Sequence, residues 1–281
     1  MPTVDVVVFG AGFTGGKVCD AALARGSTVL GVVRSADSAA ALRARGVDVT
    51  TADAAVVAAQ AVGPTTHAVV TFPPAPTTDA GLAPLLTRAR AVSYLSTTGV
   101  YEDLEGVIDD ATALPADPSP KYAAVLAAEA QYRAVAAAVL RSPGIYGAER
   151  GIHVRLQRGD FRLSGDGSRY GSRIHVEDLA QLLLASAATP GETFVVGDLE
   201  PCRQRDMVTW LCQQLQLPFP ASAPLAEVHE TLRRNRRIDS SRALRRLGVS
   251  LRFPTYREGL ELAVRSSQFK AATGSLPTPN S

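Results

Sequence analysis

The sequence predicts an α/β fold, a doubly wound parallel sheet (Rossmann) with a smaller C-terminal region. Three observations point there. Short β-branched runs alternate with alanine-rich stretches of helical length through the first half, the signature of βαβ units. These runs are continuously apolar instead of alternating, as strands covered on both faces require. The first run ends in a glycine-rich turn that opens a segment of helical length.

The strand candidates in order are "VDVVVF" (residues 4–9), "STVLGVV" (27–33), "VDVT" (47–50), "HAVVTF" (67–72), "AVSYLS" (91–96) and "AAVLR" (137–141), with helices filling most gaps. After about residue 148 the character changes to the arginine- and glycine-rich "GDFRLSGDGSRYGSR", a helix candidate from about Val176, a lone strand "TFVV" and further helices. The expected division is a doubly wound domain over residues 1–148, a smaller lid over 149–268 and a tail over 269–281. That tail has the proline, serine and glycine content of a disordered end.

With 281 residues the chain can bury a full core without staples. Cys19, Cys202 and Cys212 are an odd set without metal-like spacing, so a reducing compartment, the cytoplasm, is the expected location. The apolar run at the N-terminus stops at glycine and is too short for a membrane span, so no membrane association is expected. Basic and acidic side chains number 29 and 27, a balance that does not call for nucleic acid. In "TLRRNRRIDSSRALRRLG" (231–248), Leu232, Ile238, Leu244 and Leu247 interleave with arginine, which reads as a solvated amphipathic helix pair. His67, His153, His175 and His229 lack ligand spacing, and no metal site is expected.

Gly10, Gly12 and Gly15 form G-x-G-x-x-G between strand and helix, with Phe13 and Thr14 inside the motif. The first glycine permits the turn, the second admits a pyrophosphate to the backbone, and the third lets helix and strand pack closely. Arg34 lies 24 residues beyond Gly10 (34 − 10), where an NAD-preferring protein would present a carboxylate to the ribose. A guanidinium there, with Ser35 as a second donor, suits a 2′-phosphate, so NADP is favoured over NAD; an ordinary exposed arginine is the alternative. Asp53 is open to two roles, acceptor from the adenine amino group or helix N-cap.

These motifs, together with "YLSTTGVYED", "LRSPGIYGAERG", "GDGSRYGSRIHVEDLAQ" and "RRLGVSLRFPTYREGL" in that order, resemble the short-chain dehydrogenase/reductase superfamily. The resemblance is to its extended and atypical members, the NAD(P)-dependent epimerases and dehydratases, and spans nearly the whole chain. It implies a Rossmann domain, a nicotinamide cofactor and a C-terminal region for a small-molecule substrate. It also implies a catalytic hydroxyl at Thr97, with Thr98 as the near alternative, and a proton-exchanging phenol at Tyr122, 25 residues on (122 − 97). Thr71, Phe72 and Pro73 match the loop beside the cofactor riboses, and Pro143 with Gly144 the segment lining the nicotinamide. Tyr101 is expected to pack beneath the loop.

The departure is the lysine. The superfamily pattern is Tyr-x-x-x-Lys on one helical face, where the ammonium lowers the phenol's pKa and holds the ribose. Here Leu126 follows Tyr122; aligned instead on "AAE" (127–129), the two slots fall on Lys121 and Val125. An unassisted phenol titrates near pH 10, so about one molecule in a thousand is phenolate at neutral pH. Oxidation should suffer, whereas reduction needs the neutral form already present. The expected function is that of an NADP-dependent reductase or epimerase-like enzyme, the alternative a catalytically silent NADP(H)-binding redox sensor. Arg150, Arg155, Arg158, Arg162, Arg169 and Arg173 make an anionic substrate the expectation, with a solvated arginine face as the alternative.

Overall fold

The computed structural model describes residues 4–261 and 264–265. Seven parallel strands form the central sheet. Its core is β1 (Val6–Phe9), β2 (Val29–Val32), β3 (Asp48–Thr50), β4 (His67–Val70) and β5 (Ala91–Thr97), joined by the strands Ala138–Ser142 and Thr193–Val195. From one edge the order runs β3, β2, β1, β4, β5, Ala138–Ser142, Thr193–Val195. The winding reverses between β1 and β4, whose residues pair Val6 with His67 through Phe9 with Val70. At such a reversal the loops leaving neighbouring strands diverge and open a crevice at their carboxyl ends.

The continuous apolar runs are covered on both sides. Val8, Val69 and Leu140 face a layer made by α1 (Phe13–Leu23) and a helix at Val176–Ala185. Val7, Val70 and Val139 face the opposite layer, which includes α3 (Ala54–Ala61) and α5 (Pro120–Arg133). Between α1 and α3 in the chain lies α2 (Ala36–Arg43), and α4 (Pro76–Leu82) precedes β5.

Two expectations from the sequence change. "TFVV" is no lone strand: Thr193–Val195 pairs in parallel with Val139–Arg141 and completes the main sheet, so the chain returns from its second half to the sheet built by the first. The arginine-rich stretch is not a simple helix pair either. Between a short helix at Glu230–Arg233 and another at Ser241–Leu247, the strand Arg236–Ile238 pairs in parallel with Gly106–Ile108, burying Arg236 and Ile238 while Arg237 stays exposed. The tail over 269–281 lies outside the described residues.

A smaller apolar cluster gathers residues from the second half, including Phe161, Leu163, Met207, Leu211 and Tyr256. No helix among the described residues is long and apolar enough to cross a membrane, and no group of metal-ligating side chains occurs among them.

Candidate cofactor and substrate cleft

The glycine turn is fixed by crowding on two sides and open on a third. Gly10 has φ +88°, and a side-chain carbon there would lie 2.8 Å from the Phe72 backbone nitrogen. A carbon at Gly15 would meet the Gly10 carbonyl oxygen at 2.5 Å and Thr71 Oγ1 at 2.6 Å. At Gly12 it would find only the Gly10 oxygen, 3.9 Å away, so this face of the turn is free to accept a ligand. No side chain caps the start of α1 and no acid lies in its first turn. The first-turn N–H groups of a helix otherwise lack partners and attract anions. The residues present therefore fit a dinucleotide pyrophosphate. Phe13 opens the helix, Thr14 is buried in its first turn, and the Thr71 hydroxyl donates to the Gly10 carbonyl at 2.8 Å, tying the β1 and β4 loops together.

Arg34 is exposed just beyond β2 and makes no hydrogen bond or ion pair among the described residues, leaving its donors free. Ser35 caps α2, accepting from Ser38 N–H at 3.2 Å, and its hydroxyl also donates to Ser38 Oγ. Asp53 caps α3: its carboxylate accepts from Ala55 N–H at 2.8 Å and Val56 N–H at 3.3 Å. Of the two roles open to Asp53, the cap is the one formed.

A cleft of about 650 Å³ runs along the carboxyl ends of β4, β5 and the Ala138–Ser142 strand. Thr71, Phe72 and Pro73 form one wall, Thr97 and Thr98 its floor, and Pro143 and Gly144 the next loop. Five arginines line it, Arg150, Arg169, Arg173, Arg234 and Arg236, and among the described residues no aspartate or glutamate does. Of the arginines singled out in the sequence, Arg155 instead bonds Asp160 across the surface, and Arg158 and Arg162 are exposed away from the cleft.

Thr97 ends β5, where its hydroxyl oxygen accepts from Gly99 N–H at 3.0 Å. The Tyr122 ring packs on the same turn, so closely that a side-chain carbon at Gly99 would lie 2.5 Å from Tyr122 Cε1. Thr97 and Tyr122 are thus brought to one turn, but the phenol is buried and is not among the residues facing the cleft; Val125, one turn along α5, is. The Tyr122 hydroxyl donates to Glu230 Oε1 at 2.7 Å and accepts from Arg234 Nη2. Lys121 bonds the same Glu230 oxygen. Burial first, and then the Glu230 hydrogen bond, raise the Tyr122 pKa against the lowering effect of Arg234. Glu230 is pushed down to about 2, chiefly by Lys121 and Tyr122.

Among solved structures, a conserved protein of unknown function from Silicibacter pomeroyi matches with TM-score 0.80 and 30% identity, over 94% of this chain and 99% of that one. MoeE5, solved with UDP-glucose and NAD, matches with TM-score 0.78 and 20% identity over 95% and 99% of the two chains. UDP-glucuronic acid 4-epimerase from Bacillus cereus, solved with NAD, matches with TM-score 0.76 and 16% identity over 94% and 98%. The chain belongs to the Silicibacter protein's family. Its fold is that of the extended short-chain dehydrogenase/reductases. No protein-family model and no curated protein matches the chain.

Against the short-chain dehydrogenase/reductase pattern, the lysine position is vacant in either alignment. Leu126 is half-buried and packs with the cluster around Tyr101 and Ile108, and Val125 presents an apolar group to the cleft. Cations reach Tyr122 from elsewhere: Arg234 lies 5.1 Å and Lys121 Nζ 5.3 Å from its ring centroid. Sequence reasoning missed Glu230 and Arg234, and it missed Arg236, which is buried and donates to the Thr98 and Glu102 carbonyls. Burial first, and Arg234 second, lower the Arg236 pKa to about 10. Beneath the cleft, Glu129 accepts from Arg141 at 3.0 and 2.8 Å and from Ser96, while Arg141 also donates to the Tyr101 hydroxyl at 3.1 Å. Tyr101 is accordingly a packing residue.

Proposed function

We propose that the protein is an NADP(H)-dependent oxidoreductase of short-chain dehydrogenase/reductase type, reducing a small anionic carbonyl compound or a nucleotide-sugar-like substrate. The observation that carries this is the composition of the cleft. A glycine turn suited to a pyrophosphate packs on the Thr71–Phe72 wall of a cleft that, among the described residues, is lined by five arginines and no carboxylate, an environment that favours an anion next to the nicotinamide position. The structures of MoeE5 and of the Bacillus cereus epimerase, which hold NAD together with the same fold, support a nicotinamide cofactor. Arg34 supports the 2′-phosphate form, because its guanidinium is free where a carboxylate would serve NAD.

The cofactor would lie on Gly10, Gly12, Phe13, Thr14 and Gly15, between Arg34 with Ser35 and the Thr71–Pro73 and Pro143 loops, and it supplies the hydride. Thr97 would hold the substrate oxygen and Tyr122 would give it a proton. The raised pKa keeps the phenol protonated, which is the form that a reduction consumes. Arg234 supplies a cation at the hydroxyl from outside the helix, although in the ground state the hydroxyl donates its hydrogen bond to the Glu230 carboxylate. For this donor to act, the Glu230 contact must yield to substrate.

That contact favours a second reading. With the phenol engaged by Glu230 and Arg234, and Val125 on the cleft face of α5, the protein would bind NADP(H) without turnover and act as a redox sensor. Consumption of NADPH across a panel of carbonyl compounds, each paired with its carboxylate- or phosphate-bearing analogue, tests the two. Turnover of the anionic members, weakening with ionic strength, supports the reductase. Equal turnover of the neutral ones contradicts the anionic preference, and tight NADPH binding without turnover moves the assignment to the sensor.

A further inference from the structure

We infer that Arg150 clasps the dinucleotide pyrophosphate from the substrate side of the cleft, an inference that rests on the cofactor reading of this same cleft. Four of the five cleft arginines are already engaged. Arg169 pairs with Glu105 at 2.7 Å, Arg173 donates to Cys202 Sγ at 3.0 Å, Arg234 bonds Tyr122, and Arg236 bonds two backbone carbonyls. Arg150 alone among them has no hydrogen bond or ion pair from its side chain among the described residues. Its guanidinium lies 5.2 Å from the ring centroid of Phe13, the residue that follows Gly12 and opens α1. Stacked on a ring, a guanidinium keeps the donors at its edge free for an anion.

The backbone holds Arg150 in that position. Gly147 N–H donates to the Arg150 carbonyl at 2.9 Å and Arg150 N–H to the Gly147 carbonyl at 3.1 Å, closing a tight loop. The loop sits directly on the glycine turn's helix: a side-chain carbon at Gly147 would lie 3.3 Å from Phe13 Cζ and 2.9 Å from Val176 Cγ1. Among the described residues, Arg150 is therefore the one cleft-lining arginine with free donors, and its guanidinium lies over the ring of the residue next to the open face of Gly12. The 2′-phosphate is assigned to Arg34, on the far side of β2, so the two arginines would meet different parts of the cofactor. Because the same loop carries Gly151 and Ile152 into the cleft wall, a bound cofactor would also fix the substrate side.

Fluorescence titrations of the full chain with NADPH and NADH, and competition by adenosine 2′-phosphate, test this on the parent and on Arg150→Gln. The variant should weaken NADPH and NADH by the same factor, roughly 10- to 100-fold, as for a lost charged hydrogen bond. It should leave adenosine 2′-phosphate unaffected, since that ligand has no pyrophosphate, and leave the melting temperature unchanged, since Arg150 is exposed. Arg150→Lys should recover part of the loss. Unchanged dinucleotide affinity in Arg150→Gln would overturn the inference, as would a loss shared with adenosine 2′-phosphate. If the parent binds neither dinucleotide, the cofactor reading itself fails.

Discussion

The glycine turn, which packs on the cleft wall at Thr71 and Phe72, and the start of α5, whose Val125 lines the cleft, are built differently. At the β1–α1 end, the turn is specified by residues adjacent in the chain: φ +88° at Gly10, the close approach at Gly15 and the open face at Gly12. At the α5 end, the groups around the Tyr122 hydroxyl come from another part of the chain, with Glu230 and Arg234 lying 108 and 112 residues away. The first end has the glycine spacing of a dinucleotide-binding turn, while the second has no lysine one turn from Tyr122 and meets cations from other positions. A phosphate cradle depends on backbone geometry that only glycine allows, and few alternatives exist. A phenol needs a polar neighbour, which any nearby segment can supply, so this end is free to change its chemistry while the fold stays.

The largest expected effect is on the α5 end. Under the reductase reading, Tyr122→Phe should lower turnover by roughly 10²- to 10⁴-fold, the loss typical of a missing general acid, while NADPH titration stays nearly unchanged. A variant that matches the parent in every reaction would make Tyr122 a packing residue and erase the contrast between the ends.

Next comes the glycine end. Gly15→Ala places a carbon against the Gly10 carbonyl and Thr71 Oγ1, and the backbone carbonyl cannot rotate aside. It should cost about 1–3 kcal/mol in thermal or denaturant unfolding and weaken both dinucleotides. Unaltered binding and stability would show that the turn is looser than its contacts imply.

Asp53→Ala should cost about 1 kcal/mol through the lost cap of α3 and leave NADPH affinity as it was, because the carboxylate is already engaged by Ala55 and Val56. A clear fall in NADPH affinity would restore the adenine role.

The smallest effect concerns Glu230. Its pKa is depressed in the folded chain, so its contribution is complete above the ordinary carboxylate range near 4.5 and is lost as pH falls toward about 2. The stability gap between the parent and Glu230→Gln should be flat from pH 7 to about pH 5 and shrink below it. Its size should stay under about 1 kcal/mol, since both charged partners are partly exposed. A gap that widens on acidification would contradict the pairing.

The contrast also explains what was legible in the sequence. All six strand candidates and the glycine turn could be read because they depend on local patterns: β-branched runs and residue types at fixed spacing. "TFVV" was visible as a strand, but its place at the sheet edge depends on pairing with Val139–Arg141, which no local pattern encodes. Leucines among arginines in 231–248 imitate a helical stripe. Pairing with Gly106–Ile108 instead imposes a strand and turns Arg236 inward. Arg234 and Glu230 were hidden for the same reason, since their purpose appears only when this segment crosses α5.

The central claim is that the glycine end is a cradle for NADP(H), with Arg34 reading the 2′-phosphate. Parallel fluorescence titrations of the parent and of Arg34→Glu with NADPH and NADH test it most directly. The account predicts saturable binding of both by the parent, tighter for NADPH, and a preference that narrows or reverses in the variant. Equal affinities in the parent, or a preference that Arg34→Glu leaves intact, would contradict it.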